Sequence, residues 1–246
     1  AAALDPLFAL FSHPSAAVRR AAIAAVHTIG AAGTAAKARA GLETTDARTR
    51  ECAVRVAGYF GFADCVPLIL RALEDPEEDV RRAAIEQMPV LDEVDAAAHL
   101  RAALRDETPR NRGAAAHAMR LVDDPQAGDA LQAALHDQDA WVRYHAATSL
   151  SEARFGSGAA DTLAALARTD PATHVRIAAI TSLGGMHGAL AARVAAELMV
   201  DADDDLAVAA VNVLGAVHRH DAHDWLTRAT RSPRAAVQMA AIQALA

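Results

Sequence analysis

An all-α architecture of stacked helical pairs is predicted by three features of this 246-residue sequence: a near-constant period, one small residue recurring in every period, and apolar spacing of the helical kind. Take Val80 in Asp79-Val80-Arg81-Arg82-Ala83-Ala84-Ile85 as position 0. Its equivalents are Val18, Thr49, Asn111, Val142, Val175, Leu206 and Val237, at steps of 31 residues except for one of 33 between Val142 and Val175. A unit this short cannot bury an apolar face alone, so eight of them are expected to stack as one array over residues 1–246, each covering its neighbour.

The second helix of each unit carries position 0. Four residues on stands Ala in all eight units (Ala22, Ala53, Ala84, Ala115, Ala146, Ala179, Ala210 and Ala241), which predicts helices too close for a larger side chain. Position +8 is apolar throughout, from Val26 to Leu245, and shares a face with positions 0 and +4. Position +5, from Ile23 and Val54 to Ile180 and Ile242, widens that stripe toward the next unit. Positions +2, +6 and +9 form the opposite face, expected to meet water or a partner.

Ahead of these helices lies a turn. Five central units have Asp five residues before position 0 (Asp75, Asp106, Asp137, Asp170 and Asp201), twice followed by Pro, and these aspartates are expected to cap the helix start. Position +1 is Arg in six consecutive units: Arg19, Arg50, Arg81, Arg112, Arg143 and Arg176. Pairing with turn aspartates of the same or the adjacent unit would make an exposed charge ladder, each rung worth about 0–1 kcal/mol. The first helix is read from apolar pairs at i, i+4, such as Ile69 with Leu73 and Leu131 with Leu135.

The Asp-Pro-x-x-x-Val-Arg-x-Ala-Ala pattern of Asp75 to Ala84 resembles the HEAT repeat, in particular its short bacterial form found in phycobilin lyase subunits, and the resemblance covers essentially the whole chain. It implies a right-handed α-solenoid of about eight two-helix repeats whose second helices line a concave groove. Fold follows from the motif; activity does not. Departures are Thr49 and Asn111 at the Val position, and Ala207 and Gln238 at the Arg position.

Along the chain, repeat one starts directly with Leu4, Leu7, Phe8 and Phe11, and repeat two, with Gly30, Gly33 and Gly41, predicts a short first helix. Pro89 predicts the end of the third repeat's second helix. The two additional residues of the 33-residue step fall either around Phe155 to Gly158 or in the turn at Thr169 to Thr173. A formal charge of −7 argues against sequence-independent nucleic-acid binding, which requires clustered Lys and Arg. Cys52 and Cys65 are too few for a disulfide framework, and Cys52 is expected to be a small buried thiol. With no membrane-spanning run, a cytoplasmic setting is expected.

Candidate partner-binding residues lie on the second helices. Position +2 reads Arg20, Glu51, Arg82, Gly113, Tyr144, Ile177, Val208 and Met239; position +6 adds Arg55, Glu86, His117, Thr148, Thr181 and Asn212, with Arg120 nearby. The charged N-terminal set is expected to orient a partner. The later apolar set either holds a helix or extended peptide or is covered by neighbouring repeats. The principal expectation is a non-enzymatic scaffold for a polypeptide, without a cofactor. The alternative, permitted by the resemblance, is a lyase or accessory subunit acting on a protein-bound tetrapyrrole, with His117, Arg120 and Tyr144 meeting propionates. The run His218 to Asp224 has imidazoles and carboxylates at a spacing that suits zinc or nickel, or else is a polar turn between repeats seven and eight that needs no metal. Asp201, Asp203 and Asp205 start like a calcium loop, which then fails at Leu206 and Asn212. HEAT-like deoxyhypusine hydroxylase uses His-Glu pairs, and no His here precedes Glu. A HEAT-like DNA glycosylase site would have to draw on Trp141, Tyr144, Arg112, Arg143 and Asp139.

Overall fold

The computed structural model describes residues 3–30, 32–92, 94–151, 158–201, 203–217 and 220–246. Among these every regular element is helical: α1 Leu4–Ala9, α2 Ala16–Ile29, α3 Thr34–Leu42, α4 Ala47–Phe60, α5 Val66–Ala72, α6 Glu78–Gln87, α7 Ala96–Ala103, α8 Pro109–Met119, α9 Ala127–Ala134, α10 Ala140–Ser149, α11 Ala160–Thr169, α12 Thr173–Met186, α13 Gly188–Leu198, α14 Asp204–Ala216, α15 His220–Ala229 and α16 Ala235–Leu245. Odd-numbered helices are the first of a pair and even-numbered ones the second. The chain packs as two compact bodies, residues 1–122 and 123–246, each with four helix pairs.

Within each body a second helix packs on the next second helix, as α4 does on α6 and α12 on α14, and on its own first helix, as α4 does on α3 and α12 on α11. The recurring alanines explain the closeness: all eight are buried, seven of them with no exposed surface and Ala22 at 2%. A methyl group added to Gly41 in α3 would stand 2.9 Å from the Cβ of Ala53, so the pair already touches backbone to side chain. Gly41 thereby serves packing rather than breaking, and α3, expected to be short, runs nine residues, longer than α5, α7 or α9.

Position +9 also departs from the sequence reading. At Gly58, Gly184 and Gly215 it faces position +7 of the following repeat, where added methyls would meet Gln87, Val213 and Ala244 at 2.4, 3.2 and 2.8 Å. Neighbouring second helices therefore converge at their C-terminal ends, and +9 belongs to the inter-repeat contact rather than to the solvent face. Gly30 and Gly61 end α2 and α4 with φ of 51° and 63°, the left-handed conformation that closes a helix at little cost. Pro89 does end α6, which passes into a 3₁₀ turn at Met88–Val90.

The turn before α12 has the same length as its counterparts, since Asp170 and Thr173 keep their offsets from Val175. The two additional residues consequently lie between α10 and α11. The Phe155 to Ser157 part of that expectation falls outside the described residues. None of the described helices is long and apolar enough to cross a membrane.

The charge ladder forms between adjacent repeats, but below the surface rather than on it. Each rung joins Arg +1 of one repeat to the turn Asp of the next: Arg50 to Asp75 at 2.8 and 2.9 Å, Arg81 to Asp106 at 3.0 Å, Arg143 to Asp170 at 2.7 and 2.9 Å, and Arg176 to Asp201 at 2.7 Å. The same guanidinium donates to carbonyls of its own turn, Arg81 to Asp75 and Pro76, Arg143 to Asp137 and Gln138. These rungs are not exposed. Arg81 is 8% exposed and Asp170 7%, because the first turn of one pair closes over the next.

Nor do the turn aspartates cap the helices. They accept the backbone N–H two residues on, Asp75 from Glu77 and Asp201 from Asp203, while the capping position is three before position 0 and is filled by Asp46, Asp139 and Asp203. The departures at the Val position serve the same turns: Thr49 donates its hydroxyl to Asp46 at 2.7 Å, and buried Asn111 donates to Asp106 at 3.2 Å. Between the seventh and eighth repeats both members of the rung are lost together, as Ala207 and Ser232. Arg234 reaches back instead, donating to the carbonyls of Met199 and Asp201 and pairing with Asp204 at 3.0 Å.

These contacts set an acid limit. Burial pushes the Asp106 carboxyl up, but hydrogen bonds from Arg81, Thr108 and Asn111 outweigh it and hold the pKa down at about 2. Asp75, Asp170 and Asp201 are lowered as well. A folded-state pKa below that of the unfolded chain contributes stability that is complete above the unfolded value and is lost as pH falls through the folded one. Helix content followed by circular dichroism should therefore fall between about pH 4 and pH 2, and Asp106→Asn should shrink the stability difference across that window by about 2 kcal/mol.

Candidate functional site

In the N-terminal body the residues at +2 and +6 of α2, α4 and α6 line one groove of about 720 Å³. Three successive second helices present Arg20, then Glu51 with Arg55, then Arg82 with Glu86, because those positions point away from the apolar stripe at 0, +4 and +8. Five of the predicted partner-binding residues thus come together. Arg55 ties the helices, reaching Glu51 at 3.3 Å and Glu86 of the next repeat at 2.7 Å. Arg82 pairs with Asp79 at 2.6 Å and lies 3.9 Å from Glu86. Arg19, a ladder residue, also comes within 3.6 Å of Glu51. Arg20 is exposed at the rim.

Three lining groups were missed at the sequence level. Tyr59 and His27 stack with ring centroids 3.7 Å apart, and Arg110 of α8 closes the far end. The pair stands at +9 and +10 of adjacent repeats, so the convergence of helix ends that the glycines mark was the available signal. Cys52 forms part of the floor; burial pushes its thiol up to about 12, which leaves it protonated and unreactive.

His117 and Arg120 of the N-terminal body are exposed on α8 and at its C-terminal end. In the C-terminal body, Tyr144 and Thr148 of α10, Ile177 of α12 and Val208 of α14 are half-buried, whereas Thr181, Asn212 and Met239 are exposed, Met239 to 60%. The expected apolar run is therefore open to solvent chiefly at Met239. Thr148 returns its hydroxyl to the Tyr144 carbonyl at 3.0 Å. Gly113 is buried.

An aromatic cluster here also escaped the sequence reading. Trp141, 59% exposed, stacks on His174 at 4.5 Å and meets Tyr144 edge-on at 5.5 Å. Its neighbours are committed elsewhere: Arg143 holds Asp170, and Asp139 caps α10 by accepting the Trp141 N–H at 2.8 Å. Asp201 holds Arg176, and Asp203 caps α14 at Leu206 while accepting the Thr173 hydroxyl. The cluster His218 to Asp224 lies partly outside the described residues.

The sequence profile of HEAT repeats matches residues 35–120 and 97–184. No curated protein matches the chain. Among solved structures, YibA of E. coli is similar over 98% of this chain and 91% of its own, at 18% identity and a TM-score of 0.76. The CpcE–CpcF complex of phycocyanin lyase from a Nostoc species is similar over 86% of either chain, at 19% identity and a TM-score of 0.53. An engineered protein is similar over 97% of this chain and 76% of its own, at 16% identity and a TM-score of 0.56. Identities this low speak to fold, and the profile match, spanning more than half of the sequence, carries the assignment: the chain belongs to the HEAT-repeat family.

Proposed function

We propose that the chain is a non-enzymatic scaffold, acting in the cytoplasm as one array of eight repeats, which holds a partner polypeptide against its second helices. The observation that carries this reading is the groove over α2, α4 and α6, where side chains of three repeats are joined by ion pairs into one wall. Fixed charges on rigid helices orient an incoming chain and speed its association more than they tighten the final complex. In the C-terminal body Met239, Thr181 and Asn212 supply further contact positions.

Short random peptides displayed on phage and selected on the whole chain test the reading. Selected peptides should weaken about tenfold or more on Arg20→Glu or Ile177→Asp, and should be unaffected by Arg168→Glu, which lies on a first helix. Failure to select any peptide, or peptides indifferent to both second-helix variants, would remove the proposal. The resemblance to phycocyanin lyase chains suggests one competing outcome: a shifted absorption band when bilin is added would favour a tetrapyrrole ligand.

A further inference from the structure

The groove of the N-terminal body has a charge of its own. Arg19, Arg20, Arg55, Arg82 and Arg110 face the lining carboxylates of Glu51, Asp79 and Glu86 and, beside Arg110, that of Glu78, an excess of one positive charge in a chain whose formal charge is −7. The cations differ in how far they are committed. Arg19 and Arg55 are spent on carbonyls and carboxylates of the wall. Arg82 is likewise committed, to Asp79 at 2.6 Å with Glu86 at 3.9 Å. Arg110, its side chain 71% exposed, is only 4.0 Å from Glu78 at the closest, and Arg20 is exposed.

Between these cations lies an aromatic shelf. His27 covers one face of Tyr59, and with 61% of Tyr59 exposed the other is open. Burial pushes the His27 pKa down, so its ring stays largely neutral at physiological pH and adds no charge to the shelf.

Resting on the proposed scaffold reading, we infer that this groove takes an acidic peptide segment bearing an aromatic residue, its carboxylates meeting Arg20 and Arg110 and its ring stacking on Tyr59. Guanidinium groups suit carboxylates because their planar donors match two oxygens at once. A nucleic-acid strand fits less well, since Glu51, Asp79 and Glu86 interrupt the positive surface and repel phosphates. A peptide can place neutral residues opposite those carboxylates.

The test uses the full chain and a fluorescein-labelled peptide of glutamates around one Trp, with a Gln-for-Glu analogue, an Ala-for-Trp analogue and a single-stranded oligothymidine. Fluorescence anisotropy at low ionic strength should show the acidic peptide binding about tenfold tighter than the Gln analogue and severalfold tighter than the Ala analogue. Arg20→Glu with Arg110→Glu should weaken it by about tenfold or more while helix content stays unchanged, and Tyr59→Ala should erase the preference for Trp. Equal binding of the Gln analogue, indifference to the double Arg variant, or tighter binding of oligothymidine would overturn the inference. Phage selection yielding basic or neutral peptides that still depend on Arg20 would overturn it too, yet leave the scaffold reading standing.

Discussion

Arg143→Ala should destabilise the chain by about 3–5 kcal/mol, the cost of stranding a buried charge. The side chain of Asp170 is 2% exposed and that of Arg143 11%, and two of the carboxylate's hydrogen bonds come from this one guanidinium. Without Arg143 the carboxylate keeps the Ala172 N–H at 2.9 Å and little else to offset its lost hydration. Two carbonyls of the preceding turn, on Asp137 and Gln138, lose their donor as well. Urea denaturation followed by circular dichroism measures the loss. Removing both partners should cost less than removing Arg143 alone, because no orphaned charge remains. The chain already contains such a double loss, with Ala207 and Ser232 at equivalent positions. A loss of about 1 kcal/mol or less for Arg143→Ala would return the ladder to the status of ordinary surface pairs.

Ala53→Leu should cost about 3 kcal/mol, at the upper end for forcing extra methylenes into a packed interior. Ala53 has no exposed surface, and Gly41 of the adjoining helix approaches it so closely that even one methyl on the glycine would collide. Leucine adds three carbons in the same direction, so α3 and α4 must separate, and the neighbours packed on α4 move with them. Ala24→Leu is the control. Ala24 is exposed at +6 of α2, where a larger side chain should change the urea midpoint by no more than about 0.5 kcal/mol equivalent.

The helix pairs were legible in the sequence because period and burial are set by one cause. The alanine at +4 marks where two helices meet, and it is buried in every repeat without exception. What the sequence concealed were features of tertiary closure. The spacing of Arg81 and Asp106 announces a pair but not its depth, since depth depends on how the next turn folds over it. Position +9 carries His27, Gly58, Pro89 and Arg120 in successive repeats, a mixture that reads as solvent-facing until the glycines are seen against the following helix.

Of the candidate site, Arg20, Glu51, Arg55, Arg82 and Glu86 were visible from helical phase alone. Tyr59, His27 and Arg110 were not, because their place in the groove depends on the angle between successive second helices rather than on phase within one. In the C-terminal body the same reasoning overestimated exposure. Ile177 and Val208 occupy the outward phase yet are half-buried, as expected where small neighbours let adjacent helices converge.

Amide hydrogen exchange of the full chain, with and without a selected peptide, examines most directly whether second helices form the working face. Slowed exchange should be confined to even-numbered helices, led by α2, α4 and α6 for acidic peptides, with the first helices α3, α5 and α7 unchanged. Slowed exchange in α3, α5 and α7, with α2, α4 and α6 unaffected, would contradict a working face on the second helices.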